Sequence, residues 1–123
     1  MSDPRLSLKE MCAKFDVTPR TLRYYEYIEL LHPERDGRAR LYGPREIARM
    51  TLILRGRKFG FSLEEIRQWL MMYEDEGSGA QMRNWIALAD KQLRELADQR
   101  EQIDEAIEEL QKLRDETARA LDL

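Results

Sequence analysis

The sequence predicts a mainly α-helical protein: a winged helix-turn-helix unit over residues 1–74, a linker over 75–79, and a long coiled-coil dimerisation helix over 80–123. Three observations carry that expectation. Two short, capped helical segments stand almost back to back between Ser7 and Tyr27, and a basic hairpin signal follows them. Beyond residue 79 an apolar residue recurs at alternating four- and three-residue steps, with no Gly or Pro to interrupt it.

Ser7 to Phe15 (SLKEMCAKF) reads as the first helix. Ser7 caps it, Glu10 completes a capping box, and Leu8, Met11, Cys12 and Phe15 form an apolar stripe that makes Cys12 a core residue. Asp16-Val17 is a tight connector. Thr18 then caps a second helix, TPRTLRYYEY, in which Pro19 suits the first helical position because its missing N–H would have had no partner there. Leu22 and Glu26 lie one turn apart, while Arg20, Arg23, Tyr24 and Tyr27 fan around the other sides. Arginine offers forked donors for phosphate oxygens or a guanine edge, and tyrosine offers flat apolar area with a hydroxyl tip. Such a helix suits either DNA or a protein interface, and the brief turn before it makes it the second helix of a helix-turn-helix.

After Ile28, Leu30 and Leu31, Pro33 blocks further helix. Glu34 to Tyr42 (ERDGRARLY) alternates around Asp36-Gly37, a hairpin signal that carries Arg35, Arg38 and Arg40 near its tip. A basic hairpin directly after a helix-turn-helix is a wing able to grip backbone phosphate. Pro44 to Lys58 restarts helix, with Ile47, Met50, Leu54 and Ile53 assigned to its buried face and Arg45, Arg49, Arg55, Arg57 and Lys58 to the others. Gly60 ends it, and Ser62 with Glu65 caps a fourth helix whose expected buried stripe is Leu63, Ile66, Trp69, Leu70 and Tyr73, with Met71 and Met72 as packing residues.

Asp75 to Gly79 (DEGSG) is the linker. The seam beyond it reads Met82, Ile86, Ala89, Leu93, Leu96, Arg100, Ile103, Ile107, Leu110, Arg114, Thr117 and Leu121, flanked almost wholly by charged residues and Gln. A helix of about 40 residues reaches roughly 60 Å and cannot bury such a stripe against a small domain. The simplest partner is a second copy, joined through Ile86, Leu93, Leu96, Ile103, Ile107 and Leu110. Arg100 would oppose itself in a parallel pair, so an antiparallel homodimer is expected.

The net charge of −3 conceals a segregation. Residues 1–61 hold 13 Lys/Arg against 8 Asp/Glu, and residues 62–123 hold 8 against 16. One part fits phosphate and the other is kept from it. A single Cys12 and a single His32 cannot build an intrachain disulfide, zinc site or iron–sulfur site, so no metal and no cofactor are expected. No run approaches the ~18 apolar residues of a membrane span, and MSDPRLSL lacks the apolar centre of a signal peptide, which implies a cytoplasmic protein. Nothing resembles a nucleophile–base pair or a phosphate-cradling Gly-rich loop, so an enzyme is not expected.

Three stretches, TLRYYEYIELL (Thr21 to Leu31), RARLY (Arg38 to Tyr42) and RKFGFSLEEIRQWL (Arg57 to Leu70), follow in the order and spacing that resemble the MerR family of bacterial transcription regulators. The resemblance implies a homodimer on an inverted-repeat site in double-stranded promoter DNA, bending and untwisting it so that RNA polymerase engages both promoter elements. It also implies that Thr18, Arg20, Thr21, Arg23, Tyr24 and Tyr25 face the groove and its phosphates. Arg38, Arg40 and Tyr42 would hold phosphate from the wing, with Arg57 or Lys58 adding a contact. Tyr25 equally suits a partly buried core aromatic. One departure stands out: the family usually has Gly where this chain has Glu29, which touches the approach to the wing. Metal-sensing and redox members carry cysteines that residues 74–123 lack, and drug-sensing members append a ligand domain where only a few residues follow Leu121 here. A small-molecule effector stays open. LILRGRKFGFSLEEI, followed by YEDEG and a glutamine-rich coil, is similar to family members that control branched-chain amino-acid and acyl-CoA breakdown. The alternative from another class is a coiled-coil interaction module whose basic half binds an acidic partner.

Overall fold

The structure, a computed structural model, describes residues 5–74 and 77–121. The first four residues, Asp75 and Glu76 of the expected linker, and the last two residues lie outside it. In chain order the elements are β1 (Leu6–Ser7), α1 (Leu8–Phe15), α2 (Pro19–Tyr27), β2 (Glu34–Asp36), β3 (Ala39–Tyr42), α3 (Pro44–Phe59), α4 (Leu63–Glu74) and α5 (Gly79–Ala120). They fall into two units, residues 1–79 and 80–123.

Local capping sets the first helices. Ser7 Oγ accepts from the Glu10 N–H at 3.1 Å and Glu10 accepts from the Ser7 N–H at 3.0 Å, which closes the capping box. Asp16 takes the left-handed conformation at φ 54°, tolerable for an aspartate, and turns the chain sharply into α2. Thr18 caps α2 by accepting from the Thr21 N–H at 3.2 Å, with Pro19 in the first turn. Ser62 and Glu65 repeat the box at the start of α4.

The wing is a three-stranded antiparallel sheet in the order β1-β3-β2. Its hairpin pairs Glu34 with Leu41, Arg35 with Arg40 and Asp36 with Ala39. The turn is therefore Gly37-Arg38, one residue later than the sequence pattern implies, with Gly37 at φ 63° where a side chain would be strained. β1 is an addition to the expected architecture. Its two residues pair with Tyr42 and Leu41, too short a run to leave a strand signal.

The core of the first unit comprises Met11, Leu22, Leu30, Leu31, Tyr42, Met50, Ile53, Ile66 and Leu70, all fully buried. Several expected faces are corrected. Along α3 the buried residues are Glu46, Arg49, Met50, Ile53 and Gly56, while Ile47 and Leu54 are half-buried. The face shifts because α4 lies against Gly56: a Cβ there would stand 2.7 Å from Ile66 Cγ1. On α4, Ile66, Trp69 and Leu70 are buried, whereas Met71 is 52% and Tyr73 61% exposed, Tyr73 keeping only an edge-on ring contact with Trp69 at 6.2 Å. Cys12 is half-buried.

Arg49, assigned by its charge to the outside, is instead an interior tie. Its Nε donates to the Leu30 carbonyl at 2.8 Å and its guanidinium pairs with Glu74 at the end of α4, where Arg45 also pairs at 3.0 Å. Beside it Glu46, 5% exposed, accepts the His32 N–H at 2.9 Å. These side chains satisfy the backbone groups of the segment between helix and wing, which has no ladder of its own. Arg67 of α4 adds a bond to the Ile28 carbonyl.

In that segment Glu29 has φ 64°. The left-handed region costs a residue with a Cβ about 1–2 kcal/mol, and a glycine returns about 0.5–1 kcal/mol of this through its looser unfolded chain. Glu29→Gly is therefore expected to stabilise the protein by roughly 0.5–1 kcal/mol and raise its melting temperature by about 2–6 °C in a circular-dichroism melt.

Burial pushes the Glu74 carboxyl up, but hydrogen bonds and charge from Arg49 and Arg45 outweigh it and hold the group below its ordinary value. A carboxyl depressed in the folded state adds stability that is complete above the unfolded-chain value near 4.5 and disappears as pH falls through the folded-state value. Glu74→Gln should cost about 1–2 kcal/mol in urea unfolding at pH 7, and the gap to wild type should narrow at pH 3.

Candidate nucleic-acid interface

Helix α2 turns Leu22 and Tyr25 inward and leaves Arg20, Arg23, Tyr24 and Tyr27 exposed. The division follows from the helical period: Leu22 and Tyr25 are three residues apart and share a face, and the cations fall on the rest of the circumference. Thr18 is exposed, its hydroxyl 2.9 Å from that of half-buried Thr21. A cleft of about 420 Å³ is lined by Arg20, Thr21, Tyr24 and Tyr25 of α2, Arg57 of α3 and Leu63 of α4. Arg57, distant in sequence, is thus brought beside α2 at the end of α3, and exposed Lys58 is its neighbour in the chain. Arg38 stands exposed at the tip of the wing.

The cations divide into two sets. Arg20, Arg23, Arg38, Arg57 and Lys58 are exposed and make no side-chain hydrogen bond or ion pair among the described residues. Arg35 and Arg40 are held by Glu26 of α2 instead, at 2.6 and 2.7 Å. Burial pushes the Glu26 carboxyl up, yet Arg40 and Arg35 together hold it below its ordinary value, so it stays charged.

Two of the expected contact residues sit in the core. Tyr42 is fully buried, and its hydroxyl has no hydrogen-bond partner among the described residues. Burial, followed by the charge of Glu26, pushes that hydroxyl above the ordinary tyrosine value. It cannot hold phosphate from there. The reason is register: Tyr42 pairs with Leu6 of β1 and turns toward the helices, a constraint the hairpin sequence does not carry. Tyr25, 7% exposed, takes the core alternative, its ring 6.3 Å from that of Tyr24. In the other direction, Tyr27 is 83% exposed at the end of α2, and Arg35 is half exposed beside Arg40. The sequence places Arg35 on the basic wing but carries no signal for its facing pair with Arg40 or its tie to Glu26, because pairs across a hairpin depend on the turn position.

Among the described residues no group of three or more His, Cys, Asp or Glu is placed to hold a metal ion, and no helix is long and apolar enough to cross a membrane. The exposed cations of α2, the wing tip and the end of α3 form a positively charged surface.

Residues 6–72 match the family described as MerR HTH family regulatory protein, and residues 47–113 match the one described as MerR, DNA binding. The HTH-type transcriptional regulator HmrR of Rhizobium leguminosarum bv. viciae is 33% identical over 108 residues, covering 83% of this chain and 84% of the relative. Among solved structures, a MerR family transcriptional regulator from Bacillus cereus has a TM-score of 0.72 at 24% identity, over 89% of this chain and 79% of that one. HiNmlR, a MerR family regulator lacking the sensor domain and bound to promoter DNA, has a TM-score of 0.67 at 17% identity, over 85% of this chain and 80% of its own. At such identities the two structures speak to fold. With each family match spanning more than half of the sequence, this chain belongs to the MerR family and is a DNA-binding transcription regulator of that type.

Proposed function

We propose that two copies of this chain pair along α5, antiparallel, and set two reading helices on an inverted-repeat promoter site in double-stranded DNA. The observation that carries this reading is the set of five exposed cations, Arg20, Arg23, Arg38, Arg57 and Lys58, that lack an internal acceptor on one helix-and-wing unit. Unpaired arginines gain little from the fold itself and gain strongly from phosphate. Thr18, Arg20, Thr21, Arg23 and Tyr24 meet the groove and its edges. Arg38 and Arg40 grip phosphate from the wing, Arg57 and Lys58 add contacts from α3, and Tyr25 and Tyr42 support the surface from beneath.

Pairing is supported by α5 as it stands. None of its 42 residues is buried, and Ile86, Leu93, Leu96, Ile103, Ile107 and Leu110 are between 37% and 68% exposed along one seam. Isolated helices of that character expose more apolar area than water tolerates, and a second copy removes it. The dimer works in the cytoplasm, distorting the promoter so that RNA polymerase engages it. Its regulon lies in branched-chain amino-acid or acyl-CoA breakdown, by the likeness of residues 52–66, the YEDEG stretch and the glutamine-rich coil.

Selection of bound fragments from genomic DNA, followed by gel shift, tests the reading. Enriched fragments are expected to contain an inverted repeat within a promoter; binding no better than to random duplex would favour an acidic protein partner instead. Arg23→Ala is expected to lower affinity for the selected site by about 1–3 kcal/mol, with the loss largest on that site if Arg23 reads a base edge and uniform on all DNA if it anchors phosphate. Ile103→Asp places an unpaired carboxylate in the seam, counted twice by the symmetry. At roughly 2–3 kcal/mol each, the dimer Kd rises about a thousandfold or more, and light scattering should return the mass of a single chain.

A further inference from the structure

Arg35 and Arg40 stand directly opposite each other across the hairpin. Like charges in that position repel. Between them lies the carboxylate of Glu26: Oε1 accepts from Arg35 Nη2 at 2.6 Å and Oε2 from Arg40 Nε at 2.7 Å. One acidic side chain of α2 thereby ties both strands of the wing to the reading helix. Each guanidinium carries five N–H donors in a rigid fork. Arg40 commits only its Nε and keeps both Nη groups, while Arg35 commits one Nη and keeps its Nε and the other. The Arg35 side chain is 50% exposed, and those of Arg40 and Glu26 are each 22% exposed, so the remaining donors issue from a partly desolvated anchor.

We propose that Glu26 is a positioning residue that holds Arg35 and Arg40 as a fixed pair of phosphate donors and locks the wing to α2, so that helix and wing meet the duplex in register. Arg35 thereby joins the residues that touch DNA. The inference rests on the DNA-binding reading above. An arginine free in solution must be ordered when it binds, at a loss of a few-fold to about tenfold in affinity for each side chain. Glu26 has that ordering done before DNA arrives, for two arginines at once. Its own charge acts in the opposite sense, since a carboxylate near phosphate weakens attraction to every duplex whatever its sequence. The two effects separate on two kinds of DNA.

Full-length E26Q, which retains one acceptor oxygen and no charge, is to be compared with wild type at several salt concentrations. The probes are the genomic fragment wild type binds most tightly and a random duplex of equal length. The expected result is a fall of about tenfold or more in the ratio of selected-site to random affinity. Affinity for the random duplex should rise, with its salt dependence steeper by up to about 0.9 in log–log slope. R35Q, which leaves the Glu26–Arg40 bond in place, should weaken selected-site binding and make the slope shallower by about 0.9. In the E26Q background the same change should cost less, because the orientation is already lost. Equal changes on both probes for E26Q, or an R35Q slope that matches wild type, overturns the proposal. The R35Q slope decides the matter if E26Q does not fold. A wild type that prefers no fragment removes the DNA-binding reading itself, whereas failed variants beside a selective wild type remove only the role of Glu26.

Discussion

A small unit rich in arginine can fold only if the cations that enter its interior find acceptors there, and this requirement governs residues 5–74. Glu26 and Glu74 supply those acceptors, and Glu46 plays the same part for a backbone N–H. Glu74 receives Arg49 and Arg45, Glu26 receives Arg35 and Arg40, and Glu46 receives a backbone N–H of the segment between helix and wing. A buried guanidinium without such a partner would cost about 3–5 kcal/mol, a large share of the margin by which a domain this size is stable. Once those pairs are made, the remaining cations are surplus to the fold. They are free for DNA, and the pair held by Glu26 keeps further donors of its own.

The same division explains why a chain with a net negative charge binds a polyanion. The acidic excess lies in residues 62–123, 16 Asp/Glu against 8 Lys/Arg, and is shared between the stretch 62–78 and α5, whose length of roughly 60 Å spreads its part over several screening lengths. The helices divide the work between them. Helix α2 and the wing tip present cations, while α5 presents an exposed apolar stripe. A single copy satisfies the interior of the first unit and leaves the stripe exposed, which is the ground for the proposed pairing.

Glu26 settles where the wing stands in this arrangement. A two-residue turn and short strands make a weak hairpin by themselves, and facing arginines weaken it further. The third strand, β1, and the carboxylate from α2 together fix it to the body. Wing and reading helix therefore share one anchor, so that a displacement of either moves the phosphate donors of both.

Much of the fold was legible locally. The boxes Ser7/Glu10 and Ser62/Glu65, the Thr18-Pro19 start of α2 and the uninterrupted seam of α5 are interactions within three or four residues, which sequence spacing states outright. The exposed set Arg20, Arg23, Tyr24 and Arg38 followed from helical period and turn position for the same reason. What only the tertiary structure decided were the residues whose environment comes from afar. Tyr42 is drawn into the core by pairing with a strand too short to announce itself, and Arg49 is drawn inward by a glutamate 25 positions on. Arg57 reaches α2 from the end of α3, and Tyr73 and Met71 turn outward because Gly56 sets how α4 lies on α3. Glu29 keeps a conformation its side chain disfavours because Arg67 and the loop bonds hold it there. Charge and polarity tell which residues prefer water; whether a given one stays in it depends on what the rest of the chain brings to meet it.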